Sequence, residues 1–113
     1  MANAVLTYSA VEEDTQSDVL SVDDAQSVAR FFQVLSDPTR VRMVKMLAQG
    51  KWCVSDMTRA LGMDQPAVSH QLKYLRDMGL VHWTKSGRHV YYTLSDKHLR
   101  DILLSSIQHL DSA

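Results

Sequence analysis

VSDMTRALGMDQPAVSHQLKYLRDM, residues 54–78, consists of two helical patterns joined at a break. Before the break, Val54, Met57, Ala60 and Leu61 recur at helical spacing, so one face is apolar. Gly62 suits the residue that stops such a helix, because glycine tolerates the left-handed conformation found there. Asp64 then stands where an N-cap belongs. Pro66 falls in the first turn of the next helix, where a missing N–H costs little. That second helix buries Val68, Leu72, Leu75 and Met78, leaving Gln65, Ser69, His70, Lys73 and Arg76 off the apolar face. A short helix, a glycine turn and a second helix opening with small polar groups form a helix-turn-helix. In that motif the start of the second helix reaches base edges in a DNA major groove.

Working toward the N-terminus, Pro38 opens a helical pattern in which Val41, Val44 and Leu47 face inward, and Met43 and Met46 broaden that face. Gly50 ends it. An earlier helix is capped by Ser21 or Asp23, carries Val28, Phe31, Phe32 and Leu35 on its apolar face, and ends near Ser36-Asp37. Residues 1–21 are rich in Ser, Thr, Asp and Glu and show little apolar periodicity, which predicts a disordered acidic arm. The alternative is that Val5, Leu6 and Tyr8 dock on a partner subunit.

Toward the C-terminus the period changes. Val81, Trp83, Val90, Tyr91, Tyr92 and Thr93 are strand formers, with Lys85-Ser86-Gly87-Arg88 between them as a turn. A hairpin placed directly after a helix-turn-helix is a wing, whose Lys85 and Arg88 lie against phosphates or a minor groove. Ser95 or Asp96 caps a last helix bearing Leu99, Ile102, Leu103, Ile107 and Leu110. So wide an apolar stripe, in a chain this short, predicts dimer contacts through the first and last helices. The expected fold is mainly α with a small β-hairpin. It is a winged helix-turn-helix of five helices and a two-stranded wing, with residues 22–113 forming the DNA-binding and dimerisation domain.

The 113 residues are enough for one domain, and 45% apolar content is that of a globular protein. No apolar run approaches the ~20 residues of a membrane span, and no signal peptide is evident. One cysteine excludes an internal disulfide, and the simplest location is the cytoplasm. The net charge of −1 conceals an asymmetry. Residues 1–24 hold six of the thirteen acids and no Lys or Arg, so the remaining seven acids face all twelve bases and residues 25–113 carry +5. That balance suits a double-stranded DNA partner. Gln65, Ser69 and His70 are expected at bases or nearby phosphates, and Lys73, Lys85 and Arg88 at phosphates. No phosphate loop, H-E-x-x-H or nucleophile elbow occurs, which argues against an enzyme.

Three stretches resemble a known family. Leu35-Ser36-Asp37-Pro38-Thr39-Arg40-Val41-Arg42 is similar to the L-x-D-x-x-R-x-x-I/L motif that opens the DNA-binding region of the ArsR/SmtB, or arsenic-repressor-like, family. Pro66 to Leu75 resembles its recognition helix, and Gly87-Arg88-His89-Val90-Tyr91-Tyr92 its wing. The resemblance spans roughly residues 22–110. It implies a homodimeric repressor that leaves its operator when an inducer, often a metal ion, binds.

It also implies two metal positions. One matches Cys53 and Asp56 in Cys53-Val54-Ser55-Asp56. The family's second cysteine is here Ser55, and residues 1–21 contain no Cys or His to complete a thiolate site. The other matches Asp96, His98 and His109 of the last helix. Eleven residues separate the two histidines, which places them on nearly the same helical face but ~16 Å apart. Asp96 and His98 of one chain and His109 of an antiparallel partner would therefore share an ion. The family's fourth ligand falls at Ser112. Asp111, the terminal carboxylate of Ala113 or water remain for that place. Zinc fits such N/O ligands first, then nickel or cobalt. The alternative is the same fold without a metal, answering to an organic ligand, redox state or a partner protein.

Overall fold

The computed structural model describes residues 18–112. The acidic arm up to residue 17, with Val5, Leu6 and Tyr8, lies outside them, as does Ala113. The chain forms α1 (Val22–Gln33), a 3-10 turn at Val34–Ser36, α2 (Pro38–Gln49), α3 (Val54–Leu61), α4 (Gln65–Asp77), β1 (Val81–Ser86), β2 (His89–Leu94) and α5 (Lys97–Asp111). Five helices and one antiparallel hairpin match the expected winged helix-turn-helix.

Local chemistry sets most boundaries. Ser21, rather than Asp23, caps α1 by accepting from the Asp24 N–H at 3.1 Å. Asp23 and Asp24 then occupy the first turn, at the positive end of the helix dipole. Asp37 caps α2 through the Arg40 N–H, Asp64 caps α4 through the Ala67 N–H, and Asp96 caps α5 through the Leu99 N–H, at 3.0, 2.9 and 2.9 Å. Gly62 ends α3 in the left-handed conformation, φ 67°. Its N–H reaches Thr58 O and Arg59 O, satisfying carbonyls the helix leaves open. Gly50 ends α2 differently, in extended backbone. There the Trp52 ring donates through Nε1 to Met46 O at 3.0 Å, and the Thr93 hydroxyl donates to Leu47 O at 3.3 Å.

The core joins Phe31 and Val34 to Met43, Val44 and Leu47 of α2, Met57 and Leu61 of α3, Val68, Leu72 and Leu75 of α4, Leu80 and Val81, and Leu99 and Leu103 of α5. Several side chains depart from the sequence reading, among them Met78, expected to be buried but half-buried at the end of α4. Ala60 is exposed, because α3 buries only Met57 and Leu61 against the rest. Met43 is fully buried whereas Val41 is half-buried. Val41 turns instead toward a groove shared with α5. Phe32 is 50% exposed although its neighbour Phe31 is buried.

The hairpin is longer and its tip tighter than expected. Lys85 and Ser86 belong to β1, pairing with Val90 and His89, so only Gly87 and Arg88 form the turn. Gly87 has φ 63° and Arg88 does not share the positive region, the signature of a type II′ hairpin turn. The hairpin gains a partial third strand where Trp52 bridges Tyr92.

Candidate DNA interface and metal-ligand positions

The reading helix α4 is held from beneath by Val68, Leu72 and Leu75, all buried. Its capped N-terminus leads with Gln65, exposed. Ser69 is half-buried and His70 exposed, one turn further on. Lys73 and Arg76 continue the exposed side. Gln65 shares a cleft of about 320 Å³ with Arg88 and His89 of the wing and Cys53 to Ser55 at the start of α3. The start of the reading helix and the tip of the wing therefore converge. Lys85 is exposed on β1 two residues from the turn.

Lys73 departs from a simple phosphate-binding role. Its Nζ lies 2.7 Å from Asp77 Oδ2, one helical turn away. The Lys73 ammonium, hydrogen-bonded to Asp77, holds that carboxyl below its usual range. A phosphate contact by Lys73 must compete with this carboxylate.

Two residues absent from the expected interface support it. Arg40 donates from Nε to Val34 O and from a terminal nitrogen to Gln33 O, both at 3.0 Å. Its guanidinium lies over the Tyr74 ring of α4, 4.4 Å from the centroid. The family-like motif marked Arg40, but nothing local in sequence pointed to Tyr74.

The metal-ligand positions separate into two groups. Cys53 is buried, its sulfur 3.3 Å from Ser55 Oγ, and Asp56 is paired with Arg59. Each already has a partner inside α3. Asp96 keeps one carboxylate oxygen beyond the one that caps α5. His98 and His109 are exposed near opposite ends of that helix. Asp111 is the last residue of α5, still helical, so it stands about 200° around the axis from His109. Ser112 follows as the C-cap, its hydroxyl donating to Gln108 O at 2.9 Å. Among the described residues, no three His, Cys, Asp or Glu side chains of one chain gather as a metal site. No described helix is long and apolar enough to cross a membrane.

A capped reading helix, a glycine turn and a basic wing tip define a winged helix-turn-helix DNA-binding protein. Comparison with known proteins gives the family. The profile described as "Bacterial regulatory protein, arsR family" matches residues 37–82. A "Transcriptional repressor SmtB homolog" of Synechocystis sp. is 41% identical over 98 residues, covering 87% of this chain and 74% of that protein. The "HTH-type transcriptional regulator NmtR" of Mycobacterium tuberculosis is 41% identical over 85 residues, covering 75% of this chain and 71% of that protein. The crystal structure of the AntR antimony-specific transcriptional repressor superposes with a TM-score of 0.77 at 29% identity, over 87% of this chain and 89% of that one. The chain belongs to the ArsR/SmtB family of winged helix-turn-helix transcription repressors, a family of regulators and not of enzymes. Its partner is DNA.

Proposed function

We propose that the chain is a homodimeric repressor whose grip on its operator is weakened by a divalent ion, zinc first, then nickel or cobalt. The ion is held between paired α5 helices by Asp96 and His98 of one chain and His109 of the other. The observation that carries this reading is the distribution of donors on α5. Its start offers one imidazole beside a carboxylate with an oxygen to spare, and its end offers a second imidazole. On one chain those ends are ~16 Å apart, but an antiparallel second copy brings each start to the other's end.

The exposed apolar residues favour such a pairing. Phe32, Leu104 and Leu110 are 50%, 39% and 72% exposed. Phe32 and Leu110 border a groove of about 320 Å³ with Leu35, Val41, Ile102 and Ile107. A second copy laid along α1 and α5 covers it, and two-fold symmetry suits a palindromic operator.

The donor chemistry fits N/O-preferring ions. One buried cysteine per chain gives no thiolate cluster for a thiophilic metalloid. With α5 helical through Asp111, that carboxylate joins the set only if the last turn opens; otherwise water takes the fourth position. When bound, the ion supplies a fixed coordination that joins the two α5 helices. The chain's own bonds pass a change there to the reading helix. Ser95, beside Asp96, donates to Leu80 O at 2.9 Å, and Leu80 donates to Leu75 O of α4 at 3.0 Å. A shift at the start of α5 thus pulls on the end of α4, moving Gln65, Ser69 and His70 relative to their counterparts in the second copy.

The test is a promoter-fragment gel shift with and without zinc, nickel and cobalt. Retained complex with all three metals overturns the metal reading while leaving the DNA-binding one intact.

A further inference from the structure

We propose that Arg40 and Tyr74 form a positioning contact that sets the angle of the reading helix against the end of α1, and so governs discrimination between operator and non-specific DNA. Arg40 stands in the first turn of α2, yet its side chain turns back across the preceding segment. Two nitrogens of its planar guanidinium donate to Gln33 O and Val34 O, at the end of α1 and the start of the 3-10 turn. Those carbonyls lie where α1 passes into the 3-10 turn, at the negative pole of the helix dipole, and Gln33 O also accepts from Ser36 Oγ at 2.7 Å. The two bonds hold the guanidinium plane. One face of that plane is then spent on the Tyr74 ring at 4.4 Å. A cation over an aromatic face is attracted by the ring quadrupole, and both side chains here are partly buried.

The placement is what gives the contact a role in reading. Tyr74 lies four residues after His70 and five after Ser69, so it shares a helical side with the exposed histidine. Across the contact, Gln33 and Val34 sit between Phe32 and Leu35, which line the groove between α1, α2 and α5. One guanidinium therefore joins the wall of that groove to the helix that reads DNA. Because its hydrogen bonds go to backbone carbonyls, it follows any movement of the α1 end. A lysine could reach one carbonyl but lacks both the fork and the flat face.

The experiment needs only DNA binding, so its failure is separate from failure of the metal reading. The full-length protein and its Arg40→Gln, Tyr74→Leu, Tyr74→Phe and double Arg40→Gln/Tyr74→Leu variants are titrated against two duplexes. One is selected by the unmodified protein from a random pool, and the other is an unrelated duplex of equal length. Thermal unfolding is recorded alongside. Tyr74→Leu keeps apolar bulk and is expected to weaken binding to the selected duplex about threefold to fivefold, with non-specific binding unchanged. Tyr74→Phe keeps the ring face and is expected to match the unmodified protein on both duplexes. The double variant is expected to lose less than the product of the two single losses, the mark of a direct contact. Additive losses overturn the proposal. Equal losses on both duplexes that track the melting temperature also overturn it, since they describe a residue that only supports the fold.

Discussion

Trp52 and Tyr92, forty residues apart, exchange two backbone hydrogen bonds. The Trp52 N–H donates to Tyr92 O at 2.9 Å, and the Tyr92 N–H donates to Trp52 O at 2.8 Å. This bridge fastens the wing to the segment between α2 and α3. The same tryptophan serves α2 through its ring N–H on Met46 O. Trp52→Phe keeps the bridge and most of the packing but leaves that carbonyl without its donor. Urea unfolding is expected to show a loss of about 1 kcal/mol. No loss at all would mean that another donor satisfies Met46.

Gly62 is the hinge of the helix-turn-helix. Among the described residues a Cβ there meets nothing within 4 Å, so its φ of 67° is what opposes a side chain. Gly62→Ala should therefore cost only the left-handed penalty, about 1–2 kcal/mol in equilibrium unfolding. A larger cost would point to a contact the geometry lacks. Asp64→Ala, which removes the α4 cap, should cost roughly 0.5–2 kcal/mol.

Lys73 and Asp77 make a testable pair on the reading helix. Asp77→Asn frees the ammonium for phosphate, so DNA affinity should rise and the slope of log affinity against log salt should steepen by about 0.9. An unchanged slope would remove Lys73 from the interface. The pH effect has a definite sign. The Asp77 carboxyl is held below its ordinary value by Lys73. Its contribution to stability is present above the unfolded-state value and is lost as pH falls through the lowered one. Between pH 6 and 8, on the order of physiological assay conditions, this pair gives no pH dependence.

Much of this architecture is legible in the sequence, and the residues show why. Gly62, Asp64 and Pro66 act within one or two turns, so residue type alone carries their roles. The strand-forming run from Val90 to Thr93 is likewise local. What escapes is contact between distant segments. Tyr74 gives no sign that Arg40 lies against it, since the pairing exists only once α4 has packed on the turn after α1. Trp52 reads as linker until Tyr92 comes beside it. Lys85 and Ser86 look like turn residues by composition, yet pairing with Val90 and His89 draws them into β1 and leaves the reversal to Gly87-Arg88. Asp111 reads as a candidate for the fourth-ligand place beside Ser112, whereas a helix continuing through it sends the carboxylate to a different side from His109.

The proposed dimer has its own test. Leu110 is 72% exposed on one chain, so Leu110→Glu leaves the monomer core untouched. A carboxylate set into an apolar contact between copies is costly unless paired. Sedimentation should find monomer where the unmodified chain is dimer, with operator affinity falling in parallel. A dimer that persists with full affinity would place the interface elsewhere.

The central claim is that α5 carries the signal and α4 the response. The most direct measurement is operator affinity with and without zinc, for the unmodified protein and for His109→Ala. Zinc is expected to weaken binding by the unmodified protein about 5- to 150-fold, the span of a typical coupling of about 1–3 kcal/mol. His109→Ala is expected to bind the operator normally and to keep its grip when zinc is added. Equal release of both proteins by zinc would contradict the account.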